Sequence, residues 1–209
     1  MKPMFGSAML ILASISVGHT DDNIDRPGKG DWCYLAVHAP SQAEQQAFID
    51  EVASAAAKAS RKHGVPAAVL VGMAAVESGY GMTRIALKSN NIYAFKWPGS
   101  EIAKGYDKFV LWCQPDWDKG NEYPAFKSRV DAVDFVAWRL ASSRHYKAAT
   151  AAYNKSISRG IDLQQAALTW LEAIAPIYNY DGPAYVRKVS AVIRHPVKGT
   201  SISLWEMTR

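Results

Sequence analysis

A single glutamate at the end of an apolar run carries the strongest chemical signal in the sequence. Residues 67–76 (AAVLVGMAAV) are apolar on every side of a helix, and Glu77 follows them directly, before Ser78 and Gly79. Burial at such a position disfavours the charged carboxylate, and the partial negative charge of a helix C-terminus acts in the same direction. We therefore expect Glu77 to keep its proton near neutral pH and to act as a general acid toward a leaving oxygen. The alternative is that Glu77 only bonds loop amides or an arginine such as Arg84.

The elements around Glu77 are predicted to be mainly helical. Ser41 and Glu44 have capping-box spacing at the start of a helix that Gly64 ends, and Pro66 fits the first position of the apolar helix. Residues 97–127 hold short aromatic runs separated by Gly and Pro, which favours a small antiparallel hairpin lobe. Further helices are predicted over residues 128–141, 145–154, 162–175 and 183–194. We expect a mainly α (α+β) fold with a substrate cleft between helical domain and lobe.

Length and composition indicate one folded domain. The chain has 209 residues, of which 49% are hydrophobic, and this excludes a disordered chain. The formal net charge is +5, but the basic residues are scattered and accompany no nucleic-acid-binding motif, so no nucleic-acid partner is predicted. We expect an extension over residues 1–40, a catalytic domain over residues 41–195 and a tail over residues 196–209.

Residues 1–18 resemble a secretory signal peptide, although a segment that packs on the domain is the alternative. Their apolar stretch is too short to span a bilayer, and no transmembrane segment is predicted. Cys33 and Cys113 could form one disulfide in an oxidising compartment or remain two buried thiols. No metal-ligand spacing occurs, so neither a metal nor an organic cofactor is expected.

Two motifs resemble those of a known enzyme family. Residues 74–81 (AAVESGYG) and 90–96 (NNIYAFK) are similar to the Glu-Ser-Gly-Trp-Gly and Asn-Asn-Leu-Phe-Gly-Ile-Lys motifs of the bacterial peptidoglycan β-N-acetylglucosaminidases, glycoside hydrolase family 73. The similarity covers roughly residues 42–195, with Tyr80 in place of the usual Trp and Ala94 in place of the usual Gly. It implies a lysozyme-like fold and hydrolysis of the β-1,4 bond between GlcNAc and MurNAc, with Glu77 as the catalytic acid.

The resemblance also implies a second acidic residue in the lobe. Glu122 is the first choice because it leads directly into the matched segment around Phe126, and Asp116 and Asp118 are the alternatives. A third possibility is that the substrate's own 2-acetamido group attacks. Tyr180 is expected to hydrogen-bond the reacting sugar or to orient that acetamido group.

The remaining expected site residues bind substrate. Aromatic rings can stack on pyranose faces and amides can bond sugar hydroxyls, although an Asn pair at a turn is often structural and Tyr185 is expected in the core. The expected substrate-binding residues are Tyr80, Asn90, Asn91, Tyr93, Lys96, Trp97 and Tyr178.

These observations predict an exported enzyme that cuts peptidoglycan glycan strands in the bacterial periplasm or cell wall, reached through a signal peptide or a dedicated secretion system. It would serve wall remodelling or act as an antibacterial toxin, and a toxin would need a periplasmic inhibitor or immunity protein as partner. The alternatives are a muramidase or lytic transglycosylase of the same fold, and a catalytically dead glycan-binding module.

Overall fold

A computed structural model of the chain describes residues 27–208 and confirms a mainly helical fold with one small hairpin. The predicted signal peptide, residues 1–18, lies outside the described residues. After a short 3₁₀ helix, Asp31–Tyr34, the elements are α1 (Gln42–His63), α2 (Ala67–Ser78), α3 (Arg84–Ser89), β1 (Asp107–Val110), β2 (Glu122–Ala125), α4 (Arg129–Ser142), α5 (Lys147–Ser158), α6 (Leu163–Tyr178), α7 (Gly182–Arg194) and α8 (Leu204–Met207).

Local signals set the ends of the first two helices. The capping box is confirmed, because the Ser41 side chain accepts from the Glu44 amide and the Glu44 carboxylate accepts from the Ser41 amide at 2.8 Å. Gly64 ends α1 in the left-handed region, with φ 70°. Pro66 is the N-cap of α2, so this helix begins one residue later than predicted. These caps fix where the helix that carries Glu77 starts.

Helix α2 forms the centre of the helical domain. Its residues 67–75 are all buried, and it packs against α1 on one side and α7 on another, with α6 and α8 also in contact. Gly72 permits the close approach of α7, because a Cβ there would lie 3.0 Å from Val189 Cγ1 and 3.1 Å from Ile193 Cγ1. This packing brings the C-terminal end of α2, with Glu77, to the edge of the core.

The lobe has a small core of its own. Strands β1 and β2 pair antiparallel, with Val110 opposite Glu122. Ile85, Leu111 and Tyr123 pack around a disulfide between Cys33 and Cys113, which decides between the two alternatives for the cysteines. The segment before α1 therefore packs against the lobe. Within residues 27–208, none of the helices combines the length and apolar character that a membrane crossing requires.

Reduction of the disulfide is expected to lower the free energy of unfolding by about 2–4 kcal/mol, because the bridge joins residues 80 positions apart and restricts the unfolded chain. Urea unfolding with and without dithiothreitol measures this effect. The double variant Cys33→Ser, Cys113→Ser is the control, and reductant should not change its unfolding midpoint. Equal midpoints for the oxidised and reduced wild type would contradict the expectation.

Candidate active site

Glu77 lies where several cavities meet at the end of α2. The helix is capped by Gly79, whose φ of 55° turns the chain away two residues after the glutamate. Cavities of about 630, 350 and 240 Å³ all have Glu77 in their lining. The side chain thus stands at the boundary between the buried helix and open space, where a substrate could reach it.

Burial raises the pKa of Glu77 to about 7. The Tyr185 hydroxyl, the Lys188 ammonium and Asn179 lower this pKa, but burial outweighs them. Glu77 Oε1 and the Tyr185 hydroxyl are both buried, and within the described part of the chain neither makes a hydrogen bond of good geometry. Glu77 can therefore hold a proton near neutral pH.

A second carboxylate, that of Asp118, lines the largest cavity together with Glu77. Lys96 Nζ donates to Asp118 Oδ2 at 2.8 Å, and the Tyr34 hydroxyl donates to the same oxygen at 2.6 Å. Burial and the neighbouring Asp118 raise the pKa of Tyr34, so its hydroxyl remains a donor at neutral pH. Asp31 lines this cavity as well and accepts from Trp117 Nε1 at 3.0 Å.

The structure does not bring Glu122, the expected second carboxylate, to the cleft. Glu122 is absent from the lining of the three cavities that contain Glu77, and its Oε1 accepts from Lys108 Nζ at 2.9 Å. Alternation along β2 is the physical reason, since the next residue, Tyr123, is buried and lines the largest cavity. Asp116 pairs with Lys29 at 2.7 Å and also lies outside this lining. Of the acidic residues considered in the lobe, Asp118 is the one that lines the same cavity as Glu77.

Three tyrosines between the last residue of α6 and the first turn of α7 occupy different environments. Tyr178 is half-buried, its hydroxyl donates to the Tyr93 carbonyl oxygen at 2.9 Å, and its ring stacks on Tyr185. Tyr180, expected to contact the reacting sugar, is 96% exposed on the lining of the largest cavity. Tyr185 is buried, as expected of a core residue, yet it is also the tyrosine that contacts the Glu77 carboxyl. Sequence patterns alone could not distinguish these roles.

Three of the expected substrate-binding residues line the 350 Å³ cavity with Tyr178: Tyr93, Lys96 and Trp97. Ala94 lies between them with φ 47°, a left-handed conformation that costs a non-glycine residue about 1–2 kcal/mol. The family motif has Gly at this position, and this backbone conformation explains that preference.

Asn90, Asn91 and Tyr80 are placed away from these cavities. Asn91 is buried and braces the turn, because its Nδ2 donates to the Phe95 carbonyl and its Oδ1 accepts from the Phe95 amide. Asn90 Nδ2 donates to the Phe126 carbonyl at 3.0 Å. The Tyr80 ring packs on Phe48 in the core, with 5.9 Å between centroids. Asn90 and Asn91 therefore make the structural contacts of a turn, which was the alternative to substrate binding. The Tyr80 ring contacts the core and lies outside the lining of the three cavities.

Several cleft residues were not expected from the sequence: Asp31, Tyr34, Asn179, Tyr185 and Lys188. Asp31 and Tyr34 could be placed only once the pairing of Cys33 with Cys113 was known. That disulfide holds the residues around Cys33 beside the lobe. Among residues 27–208, no group of His, Cys, Asp or Glu side chains is arranged to hold a metal ion.

A carboxyl of raised pKa in a cleft between a helical domain and a hairpin lobe is the arrangement of a glycoside hydrolase. A family model for glucosaminidases, described as mannosyl-glycoprotein endo-beta-N-acetylglucosaminidase, matches residues 53–196. The chain belongs to this glucosaminidase family, and the resemblance drawn from the motifs is confirmed.

One solved structure has the same fold. The catalytic domain of the autolysin Auto from Listeria monocytogenes is similar to this chain with a TM-score of 0.52 and 19% sequence identity, over 75% of this chain and 86% of that domain. Comparison with curated protein sequences gives no match.

Glu77→Gln is expected to stabilise the fold at high pH. The folded pKa of about 7 lies above the ordinary value of 4.5, so ionisation penalises the folded state; the penalty is absent below about pH 4.5 and complete above about pH 7. Removal of the charge should therefore raise the free energy of unfolding by about 3 kcal/mol at pH 9, relative to its effect at pH 4.5. Urea unfolding at both pH values measures this difference. Exposed Glu172→Gln is the control, and a pH-independent effect of Glu77→Gln would refute the buried-acid assignment.

Proposed function

We propose that this enzyme hydrolyses the β-1,4 glycosidic bond between GlcNAc and MurNAc in peptidoglycan, with Glu77 as the general acid. The main observation in support is the Glu77 carboxyl, whose pKa is about 7 and which lines the cleft cavities of a glucosaminidase-family domain. The similarity of the fold to the catalytic domain of an autolysin supports peptidoglycan as the substrate.

In the proposed reaction, the protonated Glu77 donates its proton to the leaving glycosidic oxygen. The Asp118 carboxylate is our candidate for the second catalytic group, because it lines the same 630 Å³ cavity as Glu77 and accepts hydrogen bonds from Lys96 and Tyr34. It would activate a water molecule or stabilise the positive charge that develops on the sugar ring. The exposed ring of Tyr180 offers an apolar face to a bound sugar. The proposed steps require side chains and water only.

The proposal also locates the enzyme outside the cytoplasm, in the bacterial periplasm or cell wall. The Cys33–Cys113 disulfide supports an oxidising compartment. An enzyme directed at competitors would need a periplasmic inhibitor or immunity protein that fills the cleft and protects the producer, whereas an enzyme that remodels its own wall would not.

Digestion of purified peptidoglycan tests the bond and the residues together. Borohydride reduction followed by mass spectrometry should reveal reduced GlcNAc ends in the wild-type digest. Glu77→Gln and Asp118→Asn should each lower turnover by about 100-fold or more, because each removes a group that acts on the reacting bond. Glu122→Gln is the matched control and should stay close to wild type, because Glu122 pairs with Lys108 outside the cleft.

Other products would identify other reactions. Reducing MurNAc ends would indicate a muramidase, and anhydro sugars a lytic transglycosylase. Full activity of Asp118→Asn would exclude Asp118 and favour attack by the substrate's acetamido group. No product from the wild type, where lysozyme digests the same wall, would indicate a binding module.

The pH dependence of hydrolysis should follow the protonated form of Glu77. We expect activity to fall as the pH rises through about 7, because the acid then loses its proton. Lys188 lowers this pKa, so Lys188→Met should move the alkaline limb of the rate profile to higher pH. The adjacent Arg187→Met, also exposed but outside the cavity lining, is the control. Identical alkaline limbs for both variants would contradict this electrostatic assignment.

A further inference from the structure

Part of the cleft wall comes from outside the family domain. The family model begins at residue 53, yet Asp31 and Tyr34 line the 630 Å³ cavity together with Glu77. Tyr34 also lines the 240 Å³ cavity on which Lys188 lies. Residues 29–37, termed here the N-terminal strap, therefore contribute side chains to the space in front of the acid.

The N-terminal strap is fixed to both sides of the cleft. The disulfide and a hydrogen bond from the Gly30 amide to the Cys113 carbonyl oxygen, at 3.0 Å, attach it to the lobe. The Val37 amide donates to the Met82 carbonyl oxygen at 2.8 Å, next to the end of α2. Arg84 lies over the Trp32 ring, 4.6 Å from its centroid, and donates to the Trp32 carbonyl oxygen at 3.3 Å. The strap is thus attached to the lobe, to the segment that follows α2 and to α3.

An exposed tryptophan stands against this strap. Trp117 lines the largest cavity and is 64% exposed, although its indole N–H is fixed to Asp31 and its ring packs edge-on against Tyr34, with 6.2 Å between centroids. A large aromatic ring that is held in one orientation while exposed to water presents a preorganised apolar face, and preorganisation reduces the entropic cost of binding. Such a face matches the C–H surface of a pyranose ring.

We propose that the N-terminal strap and Trp117 form a sugar-binding subsite that the family domain alone does not contain. Trp117 stacks on one N-acetylated amino sugar of the glycan chain, while the Asp31 carboxylate and the Tyr34 ring fix the orientation of the indole. This inference rests on the proposed function for its substrate class. The subsite lengthens the glycan that the enzyme holds on the Glu77 cleft.

Binding measured without hydrolysis tests the subsite. Isothermal titration calorimetry uses the full chain as a Glu77→Gln variant, with N-acetylchitotetraose as the probe. Adding Trp117→Ala should weaken binding about tenfold, the loss expected when one stacked ring is removed. Adding Trp138→Ala is the matched control: Trp138 is 38% exposed on α4, packs on Phe135 and lies outside the cavity lining. Equal affinities for the two double variants, or no binding by the parent, would overturn the proposal.

A second pair of variants tests the part played by the strap. Asp31→Ala removes the acceptor for the Trp117 N–H and should weaken tetrasaccharide binding several-fold, whereas Asp31→Asn keeps an acceptor oxygen and should restore most of it. Unchanged affinity of Asp31→Ala would remove the strap from the subsite. Because binding is measured with an inert acid, its outcome is separate from that of the peptidoglycan digestion. Trp117-dependent binding with no cleavage by the wild type would retain the subsite and refute the proposed hydrolysis.

Discussion

The burial of one carboxyl group is the constraint on which this structure depends. A glutamate that retains its proton near pH 7 must be shielded from water without being neutralised by a strong ion pair. The apolar helix α2 supplies the shielding, and Gly72 lets α7 pack closely enough to bring Tyr185 against the same carboxyl. Lys188, an exposed residue of α7, lowers the pKa of Glu77 and so partly offsets the effect of burial. The helical core and the reactivity of the site therefore depend on the same packing.

The other side of the cleft depends on backbone bracing. Asn91 holds the turn that follows α3 by bonding main-chain groups of Phe95 in both directions, and Tyr178 donates to the Tyr93 carbonyl oxygen from α6. Between these braces, Ala94 adopts a left-handed conformation. The asparagines of the motif thus brace the backbone beside the cleft, and Lys96 donates to Asp118.

Features encoded by neighbouring residues could be predicted from the sequence. The capping box at Ser41, the apolar helix and the position of Glu77 at its end all depend on contacts within a few turns of chain. The sequence could not decide whether Glu122 or Asp118 is the carboxylate in the cleft. The position of Glu122 depends on which face of β2 is turned toward the cleft, and Asp118 lies in the loop before that strand. The place of Tyr34 depended on a cysteine pairing that spacing alone did not decide. Local patterns located Glu77, and long-range contacts determine which residues surround it.

The connectivity of the cleft has a consequence for biosynthesis. Its side chains come from Tyr34 near one end of the described chain, from Glu77 and Asp118, and from Tyr185 on α7 near the other. During translation, Glu77 leaves the ribosome long before α7 exists to cover it, and its carboxyl then titrates as an ordinary solvated glutamate. The burial that raises the pKa of Glu77 is complete only when α7 packs on α2. A nascent chain that lacks α7 therefore carries Glu77 without the raised pKa of the folded protein, and the order of synthesis delays that property until the fold is complete.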